Sequence, residues 1–319
     1  METLLLLLGG LGLFLFAISH LSDTLRDLLG TRAKNILAKC TRNDFSALLT
    51  GIIVTLILDS SSAVIIMTIV LVNAKALNFR QAMGIVLGAN IGTTFSSQLI
   101  ALDIGKFSPI PIFLGLLLVF FSKTKFLNST GKAITYFGIL FFGLYTMERA
   151  VEPLRDHPGF MEWMTRLESP VKGAGTGALV TLIIQSSSAT VGMVITLAKK
   201  SLITLPAAIA VMLGAELGTC ADTLLATVKS NRQALRTGLF HLGFNILSII
   251  LGLLFFPLFV ALILTISASV SLEQQVANAH MLFNAMGVLI FFPFLGWFEK
   301  LLNKLIPENG EKVANPQIA

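Results

Sequence analysis

The chain has 319 residues, of which 55% are hydrophobic and only 13% are charged. Soluble domains carry about a quarter charged residues, so this chain lacks the charge needed to cover a surface in water. The composition excludes an ordinary soluble enzyme and a disordered protein, and it predicts a protein that crosses a membrane several times. The net charge of +6 does not indicate nucleic-acid binding, because basic residues beside membrane spans mark cytoplasmic loops.

The first apolar block covers residues 4–18. No Lys or Arg precedes it and no small-residue cleavage site follows it, so we expect a first membrane helix that stays in the protein rather than a signal peptide. Further apolar blocks lie at roughly 46–72, 81–102, 109–122, 133–147, 174–198, 204–228, 237–265 and 277–298. Two distant cysteines, Cys40 and Cys220, do not suggest a disulfide framework.

Two of these blocks are interrupted in the middle by a polar run. The runs are Asp59-Ser60-Ser61-Ser62 and Gln185-Ser186-Ser187-Ser188. Each half-block is too short to cross a bilayer and has the length of one arm of a re-entrant hairpin. A single helix is the alternative, since serine can bond to its own helix backbone. Four consecutive polar residues would cover the whole circumference of a helix, so we predict two re-entrant hairpins.

The basic residues indicate an orientation. If the N-terminus is outside and neither hairpin crosses, most of the 23 Lys and Arg residues fall on the cytoplasmic side, as the positive-inside rule requires. We therefore predict an all-α, multi-pass protein of the cell (inner) membrane, with about seven crossings plus two hairpins. Its N-terminus is expected outside and its C-terminus in the cytoplasm.

An internal repeat relates two parts of the chain. Thr50-Gly51 reappears as Thr176-Gly177, an offset of 126 residues that holds without a gap through both serine runs. The same offset relates the sequence LGANIGT at 87–93 to LGAELGT at 213–219. Because each unit is predicted to cross the membrane three times, the second unit is inverted relative to the first. Inverted repeats with broken helices are typical of secondary transporters, whose substrate site lies near the midplane.

The repeat divides the chain into three parts: 1–125, 126–265, and 266–319, the last being a final helix and cytoplasmic tail. Repeat 1 is expected to contain a first helix, an amphipathic connector, a hairpin at 46–75, a broken helix at 79–102 and a helix at 109–122. Repeat 2 is expected to contain a helix at 132–147, a connector at 148–172, a hairpin at 174–200, a broken helix at 204–228 and a helix at 236–265.

The serine runs are the first candidate site. At each hairpin tip the second arm starts a helix whose N–H groups are free and whose end is partly positive. Ser62 and Ser188, or their neighbours, can cap these helices. Two such tips meeting would form a cavity rich in hydroxyl and N–H donors, which suits an oxyanion such as phosphate. Capping without a ligand is the alternative. The predicted substrate residues are Ser60, Ser61, Ser62, Ser186, Ser187 and Ser188.

The glycine motifs at 88–94 and 214–220 are the second candidate site. Two glycines four residues apart weaken a helix, and an unwound stretch would offer backbone carbonyls to Na⁺. A packing face of small residues is the alternative. The intramembrane acids Asp59, Glu216 and Asp222 also favour bound Na⁺ or protons, because an unpaired carboxylate is costly at that depth; their exposure to a water-filled vestibule is the alternative. The predicted ion-binding residues are Asp59, Gln185, Asn90, Thr93, Thr94, Glu216, Thr219 and Asp222.

A third pattern, His-x-x-Phe-Asn, begins at His241 and again at His280. His and Asn four residues apart share one helix face, and we interpret the pattern as bonding between helices rather than as ligand contact.

On these residues the sequence resembles the type II sodium/phosphate cotransporter family and its bacterial relatives. That family carries duplicated Q-S-S-S motifs, each followed by G-A/S-N-I-G-T, and the resemblance covers about residues 1–300. It implies Na⁺-driven import of inorganic phosphate, with phosphate between the hairpin tips and Na⁺ as the coupling ion, and no other cofactor or metal. Longer bacterial relatives end in a PhoU-like helical domain, which we do not expect here. A homodimer is typical of hairpin transporters that move a bundle.

Two departures from the family pattern affect the coupling ion. Asp59 stands where the family has Gln, and Glu216 stands where it has Asn. We hypothesise that these acids neutralise co-transported cations or carry protons. Proton coupling, another oxyanion and a phosphate sensor that does not transport remain alternatives. An intramembrane serine hydrolase using His241 or His280 is disfavoured, because the serine runs are symmetric and the sequence has no G-x-S-x-G motif.

Overall fold

Helices account for the regular structure of the described residues, as the composition predicts. The computed structural model describes residues 2–102 and 104–308, and the tail predicted after the last helix lies beyond residue 308. The first part of the fold contains α1 (Glu2–Lys39), α2 (Asp44–Leu58), α3 (Ser61–Asn73), α4 (Phe79–Ala101), α5 (Pro109–Phe121) and α6 (Lys125–Val151). The second part contains α7 (Pro158–Arg166), α8 (Pro170–Ile184), α9 (Ser187–Lys199), α10 (Leu205–Gly218), α11 (Cys220–Leu225), α12 (Arg232–Leu254), α13 (Phe256–Ile266), α14 (Leu272–Phe291) and α15 (Leu295–Leu305).

Polar caps and prolines mark where many of these helices begin. Asn43 and Asn78 each form a reciprocal capping box, with Ser46 and Gln81 respectively, which satisfies backbone N–H groups that have no partner inside the helix. Pro109 and Pro170 occupy the first positions of α5 and α8, where a missing N–H costs nothing.

The first helix and the helix predicted at 236–265 differ from the structure. The first helix and the amphipathic connector are a single helix, α1, of 38 residues, so the expected separation is wrong in repeat 1. The helix predicted at 236–265 is divided at Phe255 into α12 and α13. The reason is Pro257, which stands in the first turn of α13 and cannot continue the helix that precedes it.

Within the described residues, four helical segments are long and apolar enough to cross a membrane: Glu2–Lys39, Leu205–Leu225, Arg232–Leu254 and Leu272–Leu305. A fifth candidate is the pair Phe79–Ala101 and Gly105–Phe121, which is bent by 78°. Large apolar side chains are exposed on outer helices, for example Phe120 on α5 and Leu289 on α14, as expected of surfaces that face lipid. These features support a multi-pass membrane protein, while seven crossings stay a prediction.

The 126-residue offset is also present in the contacts between helices. In repeat 1, a Cβ built on Gly88 of α4 would lie 2.0 Å from the Leu48 carbonyl oxygen of α2. In repeat 2, a Cβ built on Gly214 of α10 would lie 1.8 Å from the Ala174 carbonyl oxygen of α8. The two contacts join equivalent residues, so α4 packs against α2 in the same way as α10 packs against α8.

Candidate functional site

The two serine runs have the same backbone geometry. Asp59 ends α2 with φ 51° and ψ 34°, and Gln185 ends α8 with φ 61° and ψ 29°. Both are left-handed, a conformation that residues other than glycine seldom adopt. The next residue in each run, Ser60 or Ser186, is extended and starts the following helix. The chain therefore breaks and re-enters a helix within two residues at equivalent positions.

The first serine of each run is the helix cap. The Oγ of Ser60 accepts a hydrogen bond from the N–H of Ala63 at 3.2 Å, and the Oγ of Ser186 accepts one from Ala189, also at 3.2 Å. We predicted that Ser62 and Ser188, or their neighbours, cap these helices. The caps are the neighbours Ser60 and Ser186, two residues earlier. Because the first four N–H groups of a helix lack partners within it, the starts of α3 and α9 still offer further donors.

Both breaks line one cavity of about 620 Å³. The break between α2 and α3 lies on one part of its wall, the break between α8 and α9 on another, and α1 and the start of α11 complete it. Ten of the predicted site residues are in this wall: Asp59, Ser60, Ser61, Ser62, Gln185, Ser186, Ser187, Ser188, Thr219 and Asp222. The predicted substrate residues therefore share a single water-accessible space.

Charged side chains of α1 that no sequence motif indicated also line the cavity. Arg26 and Asp23 lie in its wall, and the Arg26 guanidinium is 3.6 Å from the Asp23 carboxylate. The cavity thus presents one guanidinium together with the carboxylates of Asp23, Asp59 and Asp222.

Two of these carboxylates lie beside hydroxyl groups. Ser96 of α4 donates a hydrogen bond from its Oγ to the Asp59 carboxylate. Asp222 of α11 accepts a hydrogen bond from the Thr223 N–H at 2.6 Å, and the Ser62 side chain of the other repeat lies near its carboxylate. Ser62 and Asp222 therefore bring the two repeats together at the cavity.

The repeat offset relates these residues in an unexpected way. Asp59 is equivalent to Gln185, and Ser96 is equivalent to Asp222. Each unit therefore has one carboxylate in this pair of positions: Asp59 at the break in repeat 1, and Asp222 on α11 in repeat 2. The signal was present in the sequence, because Ser96 lies at the same offset, but its contact with Asp59 could be seen only in the fold.

The glycine motif of repeat 1 does not unwind, so the prediction of a broken helix at 79–102 is wrong, whereas the helix predicted at 204–228 is broken inside its motif. The helix α4 is continuous from Phe79 to Ala101, and its glycines provide close packing, the alternative interpretation. Asn90, Thr93 and Thr94 bond back to carbonyls of their own helix. In repeat 2 the interruption falls at Thr219, after the second glycine. The predicted ion residues Asn90, Thr93, Thr94 and Glu216 lie outside the cavity wall.

The His-x-x-Phe-Asn patterns bond helices together, as predicted. On α14, His280 joins Ser97 of α4 through Nδ1 and Glu216 of α10 through Nε2, each at 2.6 Å. On α12, His241 Nδ1 lies 2.9 Å from the Thr223 Oγ1 of α11. Neither histidine bonds a serine of the two runs, the pairing that the hydrolase interpretation requires.

Comparisons with known proteins agree on one family. The chain matches the family described as Na+/Pi-cotransporter over residues 13–149 and 157–291. YqeW of Bacillus subtilis (strain 168) is 28% identical over 316 residues, covering 95% of this chain and 99% of YqeW. The "Putative inorganic phosphate export protein YjbB" of Escherichia coli (strain K12) is 26% identical over 314 residues, covering 98% of this chain and 57% of YjbB.

A human protein matches over a shorter region. The "Sodium-dependent phosphate transport protein 2B" of Homo sapiens is 29% identical over 136 residues, covering 39% of this chain and 20% of that protein. No solved structure matches the chain.

Proposed function

The chain belongs to the Na+/Pi-cotransporter family, and we propose that it is a secondary transporter that imports inorganic phosphate into the cell together with Na⁺. The observation that carries this proposal is the pair of serine breaks, which have equivalent backbone geometry and line one cavity. The name of the human relative, a sodium-dependent phosphate transport protein, agrees with the coupling. We propose no enzymatic reaction.

Phosphate binds between the two breaks in this proposal. The starts of α3 and α9 supply N–H groups and a partial positive charge, the combination that binds anions at helix N-termini. The hydroxyl groups of the two serine runs add hydrogen-bond donors that can rotate toward the oxygens of a tetrahedral ligand. The Arg26 guanidinium in the same wall supplies the charge that attracts the anion.

The coupling cations balance the remaining negative charge. A phosphate dianion would enter a wall that already contains the carboxylates of Asp23, Asp59 and Asp222, and like charges at low dielectric repel strongly. Cations beside Asp59 and Asp222 remove this repulsion, which makes phosphate binding depend on cation binding. We assign one cation position to each repeat, at the pair Asp59 and Ser96 and at the pair Gln185 and Asp222.

Alternating access follows from the repeats. We propose that α2–α3 and α8–α9 are re-entrant hairpins in units of opposite orientation, as in other transporters with inverted repeats. The Ser62 side chain lies near the Asp222 carboxylate, so the two units meet at the cavity. A bundle carrying both hairpins would then move as one body and expose the cavity to each side in turn.

The direction of transport is part of the proposal. An inward Na⁺ gradient would drive import, whereas the printed name of YjbB describes export. The orientation that we predict, with the N-terminus outside, also belongs to the proposal.

Radiolabelled phosphate flux in proteoliposomes tests this function. We expect uptake with an inward Na⁺ gradient and little with an inward proton gradient or no gradient, and we expect Ser187→Ala to reduce it strongly. Uptake driven only by protons would refute the Na⁺ coupling. Efflux from loaded vesicles under the same Na⁺ gradient would refute import. Bound phosphate without flux would favour a sensor, and flux of another oxyanion alone would refute the substrate.

A further inference from the structure

A small apolar pocket lies between α12, α13 and α14, away from the cavity at the serine breaks. Its volume is about 200 Å³, and none of the described residues lines both this pocket and the cavity. The break at Phe255 separates α13 from α12. Gly252 and Gly287 stand in the pocket wall and have no side chains that could fill the space between the helices.

The wall of this pocket is apolar apart from one hydroxyl group. Phenylalanine, leucine, isoleucine and methionine side chains form most of it, among them Phe255, Phe259, Phe283 and Phe291. Within residues 2–102 and 104–308, Ser248 is the only residue with a polar side chain in this wall, and no charged residue lines it. An occupant should therefore be neutral, because an unpaired charge is costly in apolar surroundings.

The hydroxyl of Ser248 has no hydrogen-bond partner among the described residues, although Ser248 is only 4% exposed. Other helical hydroxyl groups of this protein donate to the carbonyl four residues earlier, as those of Thr135 and Thr196 do. Ser248 faces α14 instead, since a Cβ built on Gly287 would lie 3.2 Å from the Ser248 Oγ. A buried hydroxyl without a partner is unfavourable, so a ligand oxygen that bonds to it would be stabilised here.

The two His-x-x-Phe-Asn patterns account for the missing partner. Ser248 lies seven residues after His241, and Gly287 lies seven residues after His280. These equivalent positions face each other, and only one of them carries a side chain that can form a hydrogen bond. A buried water molecule usually needs about three polar partners, and this wall offers one polar side chain, which favours a ligand with an apolar body over water.

The volume of the pocket and its rings indicate what this apolar body is. A cavity of roughly 150 Å³ lined by apolar side chains can hold benzene, and this pocket is somewhat larger. Phe259 and Phe283 of its wall pack edge to face, with ring centroids 6.2 Å apart, and a further ring makes favourable contacts with such a pair. Phe255 and Leu258 are exposed on the outer surface, so a ligand dissolved in lipid can reach the pocket.

We propose that this pocket binds a neutral, lipid-soluble ring compound that carries one hydroxyl or carbonyl oxygen. The ring lies among the phenylalanines of the wall, and the oxygen is hydrogen-bonded to the Ser248 hydroxyl. The site is separate from the proposed phosphate and cation positions, so its test does not depend on transport.

Fluorine NMR titrations of the purified protein in detergent micelles test the role of Ser248. The probes are para-fluorophenol and para-fluorotoluene, which are similar in size but differ in that only the phenol has an oxygen. Ser248→Ala should weaken the binding of para-fluorophenol by about threefold to tenfold, the value of one hydrogen bond, and should not weaken that of para-fluorotoluene. The variant should fold, because alanine favours a helix and the lost hydroxyl has no partner. An equal effect on both probes, or no effect on either, would overturn the proposal.

Variants that fill the pocket separate binding to the protein from partition into micelles. Leu262 lines the pocket, so Leu262→Trp should abolish the binding of both probes. Leu264→Trp is the matched control, because Leu264 lies on the same helix, exposed and outside the pocket wall, and it should bind both probes like the wild type. If Leu262→Trp does not fold, Met286→Trp on the α14 side of the wall replaces it with the same expectation. Unchanged binding in the filled variant, or no binding to the wild type beyond that of protein-free micelles, would overturn the proposal.

Discussion

Moving the carboxylate of repeat 1 to its equivalent position tests the two cation positions. The first change is Asp59→Gln, which gives the tip the residue found in repeat 2 and removes the charge. The second change adds Ser96→Asp, which places a carboxylate where repeat 2 has Asp222. Because Ser96 is hydrogen-bonded to Asp59, a carboxylate at position 96 lies next to the cation position that Asp59 served.

The size of the effect follows from the environment of Asp59. A cation about 4 Å from a carboxylate gains about 1 kcal/mol in water and about 4 kcal/mol at the effective dielectric of partly buried sites. Asp59 is half-buried and lines the cavity, so its value lies between these limits. Since about 1.4 kcal/mol corresponds to tenfold, Asp59→Gln should raise the Na⁺ concentration for half-maximal uptake by about fivefold to about a thousandfold.

The assay is Na⁺-dependent uptake of radiolabelled phosphate at fixed pH. The double variant Asp59→Gln/Ser96→Asp should recover most of the Na⁺ affinity that Asp59→Gln loses. Ser96→Asp alone is the control, because it places two carboxylates together and should not resemble the wild type. A cation position at Asp59 is refuted if Asp59→Gln leaves the Na⁺ dependence of uptake unchanged, or if the double variant has no higher Na⁺ affinity than Asp59→Gln.

Further variants address packing, the helix caps and the anion. Gly88→Ala and Gly214→Ala should each lower the free energy of unfolding by about 1–3 kcal/mol, because the added Cβ meets a carbonyl oxygen. Gly175→Ala is the control, because Gly175 has open space around it, and this variant should not lower stability. Thermal unfolding in detergent measures all three. Ser186→Ala should lower the free energy of unfolding by about 1 kcal/mol, because α9 loses its N-cap. Ser186→Asn, which restores a capping side chain, should recover this stability. Arg26→Gln should weaken phosphate binding by about fivefold or less, since the side chain is partly exposed; unchanged binding in an equilibrium assay would remove Arg26 from the site.

The repeat offset predicted more of the site than any single motif did. A polar run that follows an apolar half-block identified Ser60 and Ser186 as parts of equivalent breaks, and both line one cavity. Capping is a local interaction, between residues three positions apart, so the sequence contains the information needed to predict it.

The glycine motifs show where a local rule was insufficient. Glycine weakens an isolated helix, but Gly88 lies against the Leu48 carbonyl, and tertiary packing that requires the missing side chain keeps α4 intact. The same sequence pattern is compatible with an unwound helix and with a closely packed one. The residues of α2 that pack against Gly88, and so keep α4 helical, are about 40 residues away in the sequence.

The polar partners of the buried acids could not be predicted either. Ser96 is 37 residues from Asp59, and His280 is 64 residues from Glu216. Only the packing of α4, α10 and α14 brings these side chains together. The sequence identified the acids because a carboxylate is costly to bury in an apolar segment. The side chains that hydrogen-bond to these acids could be identified only from the folded structure.

A cryo-electron microscopy map of the protein in lipid nanodiscs, with Na⁺ and saturating phosphate, would test the central claim most directly. We expect density for a tetrahedral ligand within hydrogen-bond distance of both Ser60–Ser62 and Ser186–Ser188, and loss of that density when phosphate is omitted. Ligand density elsewhere, or contact with only one of the two breaks, would contradict it.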